Sequence, residues 1–120
     1  MNYNCIDEQR HEENRKLYLR LHECEWKDDF MGASKIYKML GNIEMSKKML
    51  ENQAGLCKSQ KDFMGGGSIY EGLEMWGDAF NMYFDGANYE ASRIFGRDKD
   101  VYDKYVELTK KMMEKLNEWN

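Results

Sequence analysis

The tetrapeptide Asp29-Phe30-Met31-Gly32 returns as Asp62-Phe63-Met64-Gly65, 33 residues further along the chain. The echo extends on both sides of it. At the same offset Leu17 pairs with Leu50, Cys24 with Cys57, Ile36 with Ile69, Tyr37 with Tyr70 and Leu40 with Leu73. That makes nine identities over the 24 positions from Leu17 to Leu40, without a gap. A fixed period of this size is the trace left by a repeated helical hairpin, a unit that buries its apolar face against its neighbour.

Composition agrees with helices. Proline, the strongest helix breaker, is absent, and valine occurs only as Val101 and Val106. Straight-chain residues favour helix over strand, where β-branched residues would dominate. The expected fold class is all-α, with five to six helices: a duplicated helical hairpin and a long C-terminal capping helix. At 120 residues the chain is read as a single domain, 1–120.

Taken in order, residues 1–14 are polar, and a first helix is expected from about Ile6 to Trp26, with Leu17, Leu21 and Cys24 on its apolar side. Lys27-Asp28-Asp29 offers cap acceptors for a second helix carrying Phe30, Ala33, Tyr37 and Leu40, stopped by Gly41-Asn42. One long bent helix over 6–40 is the alternative. Hairpin unit 1 thus covers about 6–41 and unit 2 about 43–84, the latter with Ile43, Leu50, Ala54 and Cys57 on its first stripe. Lys58-Ser59-Gln60-Lys61 is its polar turn.

The glycines of Gly65-Gly66-Gly67 each cost roughly 0.8–1.0 kcal/mol inside a helix relative to alanine. The reading is therefore a frayed start after Asp62, with Ser68 as the true cap and a stripe of Ile69, Leu73, Trp76, Phe80 and Tyr83 running to Phe84. Asp85-Gly86-Ala87-Asn88 reads as a turn, followed by a short helix over 88–95 ended by Gly96-Arg97. The last helix, 98–119, capped by Asp98 or Asp100, has the clearest period: Val101, Tyr105, Leu108, Met112, Leu116 and Trp119, widened by Tyr102, Val106 and Met113.

The motif Phe30-x-x-Ala33-x-x-x-Tyr37, kept as Phe63-x-x-Gly66-x-x-x-Tyr70, resembles the second-helix half of a tetratricopeptide repeat. The resemblance covers roughly Leu17 to Leu73. It departs from that family in its period of 33 rather than 34, in lacking the first-helix Trp-Leu-Gly pattern and the closing proline, and in having two copies. What the resemblance implies is a protein-binding groove lined by the first helices, with the C-terminal helix as a cap.

Net charge is −4 with both signs interspersed, and the nearest thing to a basic patch is Lys110-Lys111, so no direct nucleic-acid contact is expected. Three cysteines, Cys5, Cys24 and Cys57, without framework spacing read as reduced thiols. No apolar leader segment and no run near the ~18 residues of a membrane span are visible. The expectation is a cytoplasmic protein that does not engage membranes.

Candidate chemistry is sparse. Glu8-x-x-His11 has di-iron spacing but lacks its partners, since His22 is preceded three residues back by Leu19. Cys24 and Cys57, with His22 nearby, offer a metal or small-ligand reading, but buried packing as small hydrophobes is the preferred one. Gly65, Gly66, Gly67 and Ser68 resemble an anion-binding nest at a helix start, without the full phosphate-loop pattern. No nucleophile, base and orienting acid assemble, so the chain is read as a non-enzyme without cofactors or metal.

Ten Met, eight Tyr, five Phe and three Trp exceed what a small core needs, and Met, Tyr and Trp make adaptable binding surfaces. Tyr70, Met75, Trp76, Met82, Tyr83 and Tyr89 are the candidate partner-binding residues. The expected function is a protein–protein interaction module, in a specific version a small phage or mobile-element inhibitor or adaptor that occludes a larger protein. A homodimer through the same face is one form of it. The alternative is a small-ligand or metal-binding bundle using the cysteines and His22 or the glycine-rich turn.

Overall fold

In the computed structural model, which describes residues 3–118 and side chains from residue 8 onward, the chain is all-α. Its helices are α1 (Tyr3–Trp26), α2 (Phe30–Met39), α3 (Ile43–Ser59), α4 (Phe63–Gly72), α5 (Trp76–Ser92) and α6 (Lys99–Glu118), and no strand occurs among the described residues. The chain divides into two compact units, Met1–Asn52 and Gln53–Asn120, with the division falling inside α3. Trp119, expected in the last stripe, lies outside the described residues.

The period of 33 is exact in the helix boundaries. Helices α2 and α4 are both ten residues long, α3 and α5 both seventeen, and each later helix starts and ends 33 residues after the earlier one. The turns repeat as well. Asp28, Gly41, Lys61 and Glu74 all adopt left-handed backbone, with φ of 55°, 81°, 64° and 57°. After each, the next amide donates to a carbonyl five residues back: Asp29 to Cys24, Asn42 to Tyr37, Asp62 to Cys57 and Met75 to Tyr70, at 2.7–2.9 Å. This is the Schellman closure, which satisfies the carbonyls a helix end would otherwise leave orphaned.

Several expected boundaries move. The break at Lys27–Asp29 is where it was expected and gives two helices, α1 and α2, not the single bent helix of the alternative. A second break, at Glu74, cuts the helix expected to run on to Phe84. The cap of α4 is Asp62, not Ser68: its Oδ1 accepts from the Gly65 amide at 3.0 Å, as Asp29 does from Gly32, and the three glycines are inside the helix. Residues 85–88 are helical rather than a turn, and α5 runs without interruption to Ser92, leaving no separate helix over 88–95.

The reason for the last correction is packing. Gly86 faces the ring of Tyr105, where a Cβ would stand 2.5 Å from Cε1. Gly67 faces Tyr83 in the same way, 2.5 Å from Cζ, and at Gly66 a Cβ would meet the Ala54 carbonyl at 3.3 Å. These glycines make room for rings and neighbouring helices instead of ending helices, and that close approach offsets their poor propensity.

Unit 1 holds α1 against α2 around Leu21, Ala33 and Ile36, with Leu17, Cys24, Tyr37, Leu40 and Met49 packed on them. Two buried serines tie α2 to α3: Ser34 and Ser46 place their hydroxyls 2.8 Å apart, and each lies within 3.0 Å of the other's carbonyl oxygen. Unit 2 packs α5 between α4 and α6 around Phe63, Ala79, Met82, Tyr83, Ala87, Tyr105 and Met112. Tyr83 and Met112 are its largest fully buried side chains, each worth about 1.5–3 kcal/mol of burial. Asp98 starts α6 by accepting from the amides of Asp100 (2.9 Å) and Val101 (3.3 Å). The inward stripe of α6 is as expected at Tyr105 and Met112, but Tyr102 and Met113 lie outside it and are exposed.

Candidate functional site

The six residues expected to meet a partner do not form one surface. Met82 and Tyr83 are buried in the core of unit 2, which removes them from any binding face. The Tyr83 hydroxyl donates to the Glu71 carboxylate, and burial together with that carboxylate pushes the phenol well above its usual range. Tyr70 and Trp76 are half-buried against the same core, and Met75 is half-buried. The Lys115 ammonium sits 5.7 Å from the Trp76 ring. Only Tyr89 is exposed, with its ring 5.6 Å from Phe63 and cations of Lys61 and Arg93 at 5.8 and 6.0 Å.

The strongly exposed apolar groups of unit 2 are elsewhere. Ile94 and Phe95, in the loop between α5 and α6, are 86% and 87% exposed. They are not on a loose tether. The buried carboxylate of Glu90 accepts from the Asp98 amide at 2.7 Å and from Arg93 Nη1 at 3.3 Å, so both ends of the loop are fixed to one group in the core. Arg97 Nε closes back on the Arg93 carbonyl at 3.0 Å, and Gly96 turns the chain with φ of 72°. A buried charge held by a cation and an amide is a rigid anchor. The tip it supports presents two large apolar side chains to solvent.

Beside this loop a groove runs between α5 and α6. Its wider end, about 380 Å³, is lined by Ala91, Arg97, Lys99, Tyr102 and Asp103. It shares Tyr102 with a second hollow of about 240 Å³ whose apolar wall includes Phe84, Ala87 and Val106. Phe84 stacks on Phe80 with centroids 5.9 Å apart and planes at 11°. Stacking fixes the ring while leaving about half of Phe84 exposed.

No known family model, curated protein or solved structure matches this chain. Function therefore rests on the chemistry of these surfaces. Sequence reading did not find Ile94 and Phe95, because they belong to no periodic stripe. Their signal was two large apolar residues standing directly before Gly96-Arg97-Asp98, a turn.

The remaining candidates hold no assembled chemistry. Gly65 and Gly66 already donate their amides to Asp62, and Ser68 is an exposed helical residue. Cys24 stands 3.8 Å from the Asp29 carboxylate, and both it and Cys57 have thiols pushed up, first by burial and then by the carboxylates of Asp29 and Asp62. His11 and His22 are exposed. Among the described residues, no group of three or more His, Cys, Asp or Glu could hold a metal ion, and no helix is long and apolar enough to cross a membrane.

Proposed function

We propose that this chain is a non-enzymatic protein-interaction module that engages a larger protein partner through the α5–α6 end of its second unit. The observation that carries the reading is the pair Ile94 and Phe95, held almost fully exposed on a loop clamped by buried Glu90. Exposing two such side chains loses roughly 1.5–3 kcal/mol each relative to burial, and a rigid presentation lowers the ordering cost of docking. The exact recurrence of helices and turns at 33 residues supports a helical-repeat scaffold of the tetratricopeptide-like kind for this surface. A small-ligand or metal-binding bundle draws less support, since the thiols of Cys24 and Cys57 each face an aspartate.

The test is capture of the tagged chain from lysate of its own cells after nuclease treatment, beside a double variant Ile94→Asp, Phe95→Asp. One protein retained at near-equal stoichiometry by the parent and lost by the variant is the expected result. Equal retention by both would reject the loop as the anchor. Retention of no protein by either would reject the interaction reading.

A further inference from the structure

We infer that the α5–α6 groove receives an acidic amphipathic helix of the partner, about three turns long. This rests on the interaction-module reading and adds the chemistry of the occupant. The floor is apolar: Phe84 and Ala87 from α5, Tyr102 and Val106 from α6. Its rim is not. Arg97 and Lys99 line one end and Lys110 the other, against the single carboxylate of Asp103. The chain as a whole carries a net charge of −4, so this cationic rim runs against the global balance.

None of the three cations joins an ion pair with a described residue. Their charge is available to an incoming ligand. Apolar floor and cationic rim together select a segment with an apolar stripe flanked by Asp or Glu. From Lys99 to Lys110 the helix axis covers about 16 Å, the length of about three helical turns. With no strand edge among the described residues, strand addition has nothing to pair with, whereas a helix can lie along two helices with its apolar face in the groove and its acidic flanks on the rim.

The probe is a synthetic three-turn peptide with leucine at i, i+3, i+4 and i+7 and glutamate at the flanking positions, compared with its lysine-flanked counterpart. Both are titrated into the full chain and followed by backbone amide chemical shifts. The glutamate peptide should bind about tenfold more tightly, the sum of several exposed ion pairs, and should shift Phe84, Tyr102, Val106 and Thr109. Raising salt from about 0.05 to about 0.5 M should erase most of the preference. The double variant Lys99→Glu, Lys110→Glu, altered only at exposed positions, should invert it.

Equal binding of both peptides, shifts elsewhere, or an unaltered preference in the double variant would overturn the inference. So would concentration-dependent shifts at the same residues without peptide, which would make a second copy of the chain the occupant. If the lysate partner is lost with the Ile94/Phe95 variant but kept by Lys99→Glu, Lys110→Glu, the module reading stands and the acidic-helix inference falls.

Discussion

Gly86 lies against the ring of Tyr105, and a methyl group there would stand 2.5 Å from Cε1. The contact sets how closely α5 and α6 can approach, and with it the width of the groove beside them. Gly86→Ala gains about 1 kcal/mol of helix propensity but forces the buried ring outward, an overpacking cost of about 1–3 kcal/mol. The net expectation is destabilisation by up to about 2 kcal/mol, read as a lower urea midpoint. Gly55, in α3, has nothing within 4 Å of where its Cβ would be. There the same substitution should stabilise by up to about 1 kcal/mol. Equal effects at the two sites would refute the packing account.

The same glycine marks how far the sequence could be read. The period of 33 was visible in side chains from Leu17 to Leu73, and three further identities, Met49 with Met82, Ala54 with Ala87 and Ser59 with Ser92, continue it through α5. The phase was hidden. Asp28, Lys61 and Glu74 turn the chain with left-handed backbone that ordinarily calls for glycine, so only Gly41 of the four equivalent turns announced itself. Gly86 announced a turn that is absent, because its function is to accept a ring. Once the phase shifts, Met82 joins Tyr83 in the core; on α6, which lies nearly where it was expected, the inward stripe is narrower than the sequence pattern and leaves Tyr102 and Met113 at the surface.

Ser34 and Ser46 form a reciprocal buried pair in unit 1, whereas the positions 33 residues later are Gly67 and Ala79. Ser34→Ala or Ser46→Ala alone leaves a buried hydroxyl short of one partner, at a cost of about 1–3 kcal/mol. The double alanine variant removes both polar groups and should cost clearly less than the sum of the singles. A double-mutant cycle by urea unfolding measures the difference, and strict additivity would show that the two hydroxyls do not depend on each other.

Asp29 both caps α2 and holds the Cys24 thiol above its ordinary range, after burial. Asn at this position keeps a cap acceptor but removes the charge. Asp29→Asn should therefore leave stability within about 0.5 kcal/mol and speed alkylation of Cys24 at mildly alkaline pH by about two- to threefold. The rate is followed on the Cys24 peptide by mass spectrometry. An unchanged rate would mean that burial alone controls the thiol.

Tyr83 and Tyr105 both have phenols raised by burial, Tyr83 further by the Glu71 carboxylate it donates to. The sign of the pH dependence follows. Below the unfolded value of about 10 both states keep the proton and the contribution to stability is complete. Above about pH 10 the unfolded chain releases protons first, so stability falls as pH rises toward the folded values. Tyr83→Phe should cost about 1–3 kcal/mol at neutral pH through the lost hydrogen bond to a charged acceptor, and should flatten the alkaline decline. Urea unfolding at pH 7, 9 and 10.5 separates the two effects; a slope as steep as the parent's would assign the decline to other groups.

Glu74 sits at the turn equivalent to Gly41, with φ of 57°, and its amide donates to the Glu71 carbonyl at 3.0 Å. Left-handed backbone disfavours a side chain bearing a Cβ by about 1–2 kcal/mol, and glycine removes that strain. Glycine also raises the entropy of the unfolded chain, which offsets part of the gain. Glu74→Gly should then stabilise by about 0.5–1 kcal/mol, seen as a higher urea midpoint with unchanged slope. Gly41→Ala, the reverse change at the equivalent turn, should destabilise by a similar or larger amount. Opposite signs at positions 33 residues apart are what a repeated Schellman turn requires, because both residues occupy the same backbone state and differ only in what they carry on it.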